Sequence, residues 1–283
     1  MSLNSVHTNM GAMVALQSLN STISELASTE KRISTGFRVA DATDDGAAYA
    51  VAQRVRSDVT ALGSANQQLG GVQGLLSTTS SALTDVSKLM SSMRETLVAL
   101  ANGNTSGTQR TQYAAQYNSL LANVKSDIQN ASYNGKTLIG NISGSTGVFS
   151  KVAVTTNEVA STYGIATFGG AAMYGSLALG ATTLGSATLA GAAITATGSF
   201  MNMLNKLGTQ MNTYGNATNY VNNQISYNSD KIDSLNSGLG ALVDANLAKE
   251  SAMLQSLQIR QQLGTQALSL ANQAPQTLLS LFK

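Results

Sequence analysis

Side-chain chemistry needs partners at close spacing, and this sequence of 283 residues supplies few. Its single histidine, His7, has no second histidine with which to form a HExxH zinc site. It also lacks an identifiable nucleophile or orienting group that would make it a general base. Cysteine is absent, which removes disulfides, thiolate metal sites and thiol nucleophiles. The acidic pair Asp44-Asp45 reads as helix-start chemistry, and Lys31-Arg32 as the solvated basic end of a helix. Met90, Met93, Met203 and Met211 lie on or near apolar seams and read as packing. Tyr214 lies in a seam too, with a hydroxyl able to reach a partner at the rim. No catalytic, cofactor-binding or metal-binding residue is assigned, and no enzyme is expected.

The elements that must position these residues are long helices. Only 11% of residues are charged, there is one proline, and Ser, Thr, Asn and Gln carry most of the polarity. Scarcity of proline suits long uninterrupted helices. A net charge of +2 offers no general attraction to nucleic acid or anionic membrane. No stretch approaches the roughly 18 apolar residues of a membrane helix. The start, Met1 to Asn9, has no basic and apolar regions of a secretory signal, so the chain is expected in the cytosol or exported without a cleaved signal.

Three regions follow. In the first, about residues 1 to 140, Leu16, Leu19, Ile23, Leu26 and Ile33 step by threes and fours, with Glu30 in one seam position. Gly36 is the expected stop, and Thr43-Asp44-Asp45 the expected cap of the next helix. That helix carries Leu62, Leu69, Leu76, Leu83, Met90 and Leu97 at a strict seven-residue spacing. Its companions are Ala65, Val72, Thr79, Val86, Met93 and Leu100, a seam that requires lengthwise packing on other helices. Gly70, Gly71 and Gly74 interrupt it and mark a weak point or a close helix approach. A third helix runs through Tyr113, Tyr117, Leu120, Leu121, Val124 and Ile128, and Tyr133 to Lys136 turns the chain.

The second region, about 141 to 197, is rich in Gly, Ala, Ser and Thr. Val148 to Thr155 and Tyr163 to Phe168 are expected strands. The run from Gly175 to Gly198 offers little core, so a small β-containing insertion, facing solvent or partly covered by a neighbouring subunit, is expected. The third region, 198 to 283, is helical again. Phe200, Leu204, Leu207, Met211, Tyr214, Thr218, Val221, Ile225, Asn228, Ile232, Leu235, Leu239 and Leu242 alternate steps of four and three. The seam then fails and restarts as Leu247, Leu254, Leu257, Leu268 and Ala271, as if the helix left one bundle for another. Pro275 is expected to kink or restart the last turn, before the apolar end Leu278 to Phe282.

The expected fold is mainly α: a hairpin-like long-helix bundle of about four central helices, with a coiled-coil terminal pair and the small insertion. Two terminal helices cannot bury all their Leu and Met alone, and each such side chain left exposed forgoes roughly 1.5–3 kcal/mol. Isolated helices are marginal in water, so residues 1 to 36 and 245 to 283 are expected to be ordered by neighbouring copies.

These residues resemble bacterial flagellin over nearly the whole chain outside the insertion. Leu3-Asn4-Ser5 to Asn9 and Arg32-Ile33-Ser34-Thr35-Gly36 look like the family's terminal helix and its ending. Asp41-Ala42-Thr43-Asp44-Asp45-Gly46-Ala47 resembles the turn that opens its long helix. Arg94-Glu95, Ala101-Asn102-Gly103, Tyr133-Asn134-Gly135 and the ending Ala271 to Leu281 match further landmarks, in the right order. The short form and the ending look most like alphaproteobacterial flagellins.

The resemblance implies a terminal coiled-coil domain lining the filament's inner tube (1–40 and 243–283), a helical shell domain (44–140 and 198–242) and a variable outer insertion (141–197). It implies an assembly interface at Leu16, Leu19, Ile23, Leu26, Ile33, Leu247, Leu254, Leu257, Leu268 and Leu278. The shell core is expected at Leu62, Leu69, Leu76, Leu83, Met90, Leu97, Leu207, Met211, Val221 and Ile225. Expected partners are further copies of the chain, the hook–filament junction protein, the filament cap, and an export chaperone on the C-terminal helices. Neither nucleic acid nor membrane insertion is among them. Export by the flagellar type III apparatus puts the product in the extracellular flagellum.

Thr155, Thr156, Ser161 and Thr162 are candidate O-glycosylation acceptors, because several flagellins carry sugars on exposed Ser or Thr; an intact mass of 29.2 kDa on native filaments would exclude it. In flagellins that stimulate the vertebrate innate receptor, Arg94 is accompanied by an Arg two residues earlier and a Leu two residues later. Here Ser92 and Thr96 stand there, so weak or absent stimulation is expected in a reporter-cell assay. The nearest alternative function is a hook–filament junction protein sharing the terminal helices. An adhesin or secreted effector would need a binding feature in 141 to 197, and none is visible.

Overall fold

The computed structural model describes the backbone of residues 8–280 and side chains from 8 to 273. His7 and the Leu278 side chain lie outside the described residues. Eight helices and four short strands occur among the described residues. They are α1 (Met10–Thr35), α2 (Gly46–Ala101), α3 (Gly107–Asn130), β1 (Lys136–Thr137), β2 (Val148–Phe149), β3 (Val152–Thr155), β4 (Thr162–Ile165), α4 (Gly170–Leu177), α5 (Ala181–Gly185), α6 (Ala187–Ala193), α7 (Ser199–Val243) and α8 (Leu247–Ser280). The chain divides into two compact units, one of residues 1–58 with 233–283 and one of residues 59–232.

In the unit of residues 59–232 the heptads of α2 are packed inward. Leu62, Leu69, Leu76, Leu83, Met90 and Leu97 are buried, as are their companions from Ala65 to Leu100. On α7 the two seam positions differ. Phe200, Leu207, Tyr214, Val221 and Asn228 are buried, whereas Leu204, Met211, Thr218 and Ile225 are half-buried at its edge. From α3, Tyr117, Leu121, Val124 and Ile128 complete the same core. The two buried phenols are satisfied: Tyr117 donates to the Leu177 carbonyl at 2.7 Å and Tyr214 to that of Ala166 at 3.1 Å. Three long helices therefore meet here rather than about four, and the short helices α4 to α6 supply the remaining wall.

The insertion contains the expected strands, but that wall corrects the expectation that it offers little core. Met173, Leu177, Leu184 and Ala190 are buried in the same core as the α2 heptads. Most of the sparse large residues turn inward, Leu189 on α6 being exposed, and the abundant Gly and Ala let short helices come close. A Cβ on Gly170 would lie 2.1 Å from the Ile139 carbonyl oxygen, so only glycine fits where α4 begins. The strands are shorter than expected. β1 pairs with β2 in parallel and β3 with β4 antiparallel, in separate two-stranded sheets. Asn134 and Gly135, both at positive φ, make the tight turn that lets Tyr133 and Lys136 exchange backbone hydrogen bonds.

The glycines of α2 also read differently in three dimensions. Added Cβ atoms on Gly70 and Gly71 would meet nothing, but one on Gly74 would strike the Tyr133 ring at 2.6 Å. The close approach is therefore by a turn tyrosine at Gly74, not by a helix.

In the unit of residues 1–58 and 233–283, α1 packs along α8. Pro275 does not restart the chain there, since α8 continues past it to Ser280. A proline has no N–H to give to the carbonyl four residues back, and that carbonyl belongs to Ala271. Asn9 fills the vacancy: its Nδ2 donates to the Ala271 oxygen at 2.6 Å, while its Oδ1 accepts from Ala12 N at 3.0 Å as the N-cap of α1. One amide thus caps one helix and repairs the other. Asn9→Ser, which can cap but not reach, is expected to destabilise the terminal pair by about 1–2 kcal/mol. In Pro275→Ala, whose restored N–H serves Ala271, the same change should cost clearly less. Hydrogen exchange of α1 and α8 amides in the four proteins of that cycle measures the coupling, and additive effects would refute it.

Candidate assembly interface

The junction that ends α1 and α7 is built locally. Gly36, at φ 75°, closes α1 by donating its N–H to the Arg32 carbonyl at 2.9 Å. Beside it Arg38 N donates to Val243 O at 2.7 Å and Ala245 N to Gly36 O at 2.9 Å, so the two chain breaks are paired. Val39, Ala48, Ala52 and Val243 form a small buried core under them, and the Arg56 guanidinium lies 5.7 Å from the centre of the Phe37 ring.

Lys31 is not the solvated helix end expected of it. Its ammonium reaches Asp41 Oδ2 at 2.7 Å and Asp44 Oδ1 at 2.9 Å. Those hydrogen bonds hold both carboxyls below the usual carboxylate range and raise the lysine, with further support from Thr43 on Asp41 and from the Ala40 amide on Asp44. Asp45 is the cap of α2, accepting from Ala47 N at 3.1 Å and Ala48 N at 3.0 Å. Arg32 faces Glu250 of α8 at 3.6 Å.

Along the α1–α8 pair, the expected seam residues take two positions. Leu19 and Leu257 are buried, and Leu26, Ile33, Leu254 and Leu268 are half-buried where the helices meet. A Cβ on Gly264 would come within 3.2 Å of the Leu19 side chain, which marks the closest approach. Leu16, Ile23 and Leu247 are exposed. Leu16 and Ile23 continue into Met10, Met13 and Val14, which are also exposed.

A second apolar stripe was missed by the seam reading. Ile259, Leu263 and Leu270 are 59%, 59% and 67% exposed, on the side of α8 opposite Leu257. Their spacing of four and seven is the signal that could have revealed them. A helix apolar on two faces cannot be satisfied by one partner helix.

Other expected positions fall as follows. Thr156 is buried and its hydroxyl donates to the Ser161 carbonyl at 3.0 Å, so it is no open acceptor; Thr155 is half-buried, and Ser161 and Thr162 are exposed. On α2, Ser92 and Arg94 are exposed, but Thr96 is turned inward with its hydroxyl on the Ser92 carbonyl at 3.0 Å, so it is not part of a surface patch. Among the described residues no group of three or more acidic or histidine side chains could hold a metal ion, and no helix is long and apolar enough to cross a membrane.

Paired terminal helices with apolar surface left over on both members define a self-associating helical subunit. Comparison with known proteins specifies which. Residues 6–143 match the bacterial flagellin N-terminal helical region, and residues 194–282 the bacterial flagellin C-terminal helical region. The chain is 34% identical to the flagellin FljO of Caulobacter vibrioides over 100% of both chains. It is 32% identical to a flagellin of Brucella melitensis over 99% of both. A candidate flagellar hook-associated protein of Vibrio parahaemolyticus shares the helical fold at a TM-score of 0.56 and 14% identity, covering 71% of this chain and 100% of that one. The chain belongs to the bacterial flagellin family, structural subunits of the flagellar filament that self-polymerise.

Proposed function

We propose that this chain polymerises through α1 and α8, with the stripe at Ile259, Leu263 and Leu270 of one copy covered by terminal helices of its neighbours. The observation that carries this reading is the second apolar face of α8, which nothing in the chain's own α1 covers. In a filament this contact is heterologous, one copy's α8 stripe lying on terminal helices of the next copy, so that it propagates instead of closing into a dimer. In this reading residues 1–40 with 243–283 line the filament, residues 44–140 with 198–242 form the shell around them, and 141–197 lie outermost. The role is mechanical, without catalysis. Export through the flagellar apparatus, a chaperone on the C-terminal helices, and docking to the junction protein at one end and the cap at the other complete the path to an extracellular filament. Of the four hydroxyls considered for sugars, Ser161 and Thr162 are the accessible ones.

Seeded polymerisation tests the reading. Full-length chain should extend filament fragments into sedimentable polymers, and a chain lacking residues 1–36 and 245–283 should not. Equal growth of both would remove the terminal helices from assembly and end this proposal.

A further inference from the structure

Tyr163 on β4 and Tyr220 on α7 stack with ring centroids 4.1 Å apart and planes inclined by 27°. The pair is held from both sides. Tyr163 lies in register with Val154 across the β3–β4 hairpin. The hairpin end is tied to α7 by Asn228 and Gln224, which donate to the Thr156 carbonyl at 2.8 and 3.2 Å. Tyr220 is 39% exposed and Tyr163 half-buried, so a small diffusible oxidant can reach the pair. The sequence contains neither Cys nor Trp, the side chains that most readily divert one-electron oxidation. Phenols are then its easiest one-electron donors, and these two phenols already touch.

We propose that Tyr163 and Tyr220 form an oxidative cross-linking site, yielding an intramolecular dityrosine when the protein meets a one-electron oxidant such as the species a haem peroxidase makes from hydrogen peroxide. Each phenol gives one electron to the oxidant and one proton to water. The two phenoxyl radicals join through one ring carbon ortho to each oxygen. The hydrogen on each joined carbon then moves to the phenolic oxygen through water, which restores both rings. The product has lost two hydrogen atoms in total, and one peroxide accepts the two electrons and two protons to become two waters. For the biaryl bond to form, the stack opens like a book about one edge, which the exposed side of Tyr220 permits. The result is a covalent staple between the insertion and a long helix.

The test is photo-oxidation of the full-length chain, dissociated in solution, with a ruthenium(III) polypyridyl oxidant generated by light and persulfate. Dityrosine fluorescence should appear on chains that still run as monomers. Peptide mapping should join the Tyr163 and Tyr220 peptides with the mass of two hydrogens missing. Tyr163→Phe and Tyr220→Phe, which keep the stacked rings and lose the oxidisable phenol, should each lose that product, and Tyr227→Phe should keep it. The linked chain should also unfold at a higher temperature than the oxidised Tyr163→Phe protein. Undiminished fluorescence in the Tyr163 and Tyr220 variants, or coupling mapped chiefly to other tyrosines or between chains, would overturn the proposal.

Discussion

Leu263→Glu together with Leu270→Glu should abolish filament growth at concentrations where the unaltered chain polymerises, while the isolated chain stays as stable as before. Both side chains are mostly exposed in the single chain, 59% and 67%, and surface substitutions of that kind usually change stability by no more than about 0.5 kcal/mol. In a polymer that covers them, each leucine contributes roughly 1.5–3 kcal/mol of burial. Losing two raises the critical concentration by about a hundredfold or more, at about 1.4 kcal/mol per tenfold. Burying a carboxylate without a partner adds to that. Leu257→Glu is the contrast: Leu257 is buried between α1 and α8, so this change should melt the terminal pair itself. Sedimentation at a series of protein concentrations gives the critical value, and circular dichroism gives the stability of the free chain. A double variant that pellets at the concentration of the unaltered protein would show that this face of α8 is not an interface.

The second large effect is expected at Asn228, where the heptad pattern gives the wrong advice. An asparagine in an apolar seam invites replacement by leucine. The structure shows its amide fully committed. Nδ2 donates to Asn66 Oδ1 at 2.9 Å and to Thr156 O at 2.8 Å, and Oδ1 accepts from Gln224 Nε2 at 2.9 Å. Leucine fills the space and leaves those partners under-satisfied in a buried place, a loss of roughly 1–3 kcal/mol for each such group. Asn228→Leu is expected to destabilise the unit of residues 59–232 by about 3 kcal/mol, lowering its melting temperature by roughly 6–12 °C. The damage should begin at the β3–β4 turn, where Glu158 also depends on Lys231 at 2.5 Å. That hydrogen bond holds the Glu158 carboxyl below its usual range. Proteolysis at residues 157–161 would detect the opening before global unfolding does. A melting temperature equal to or above that of the unaltered chain would mean the network contributes nothing net.

The helices themselves were legible because a helix repeats every few residues, so its buried face is written into one stretch of chain. The strict sevens from Leu62 to Leu97, the threes and fours from Phe200 onward and the phase break after Leu242 each correspond to an observed element or boundary. Stops and starts were legible for the same local reason: Gly36 is at positive φ, and Asp45 reaches only two and three residues ahead. The family resemblance rested on such local landmarks as well.

What the sequence alone determined is thus mainly α structure and the length and inward face of the long helices. The tertiary structure decided what joins distant residues. It turned Met173, Leu177 and Leu184 into core, withdrew Thr156 and Thr96 from the surface, tied Lys31 to Asp41 and Asp44, and set Asn9 against the carbonyl that Pro275 leaves unpaired. It also separated the stripe of α8 that meets α1 from the stripe left exposed among the described residues. A hydrophobic period states which faces avoid water. Which other segment covers each face depends on loop paths and on contacts between residues remote in sequence, and those contacts leave no period to read.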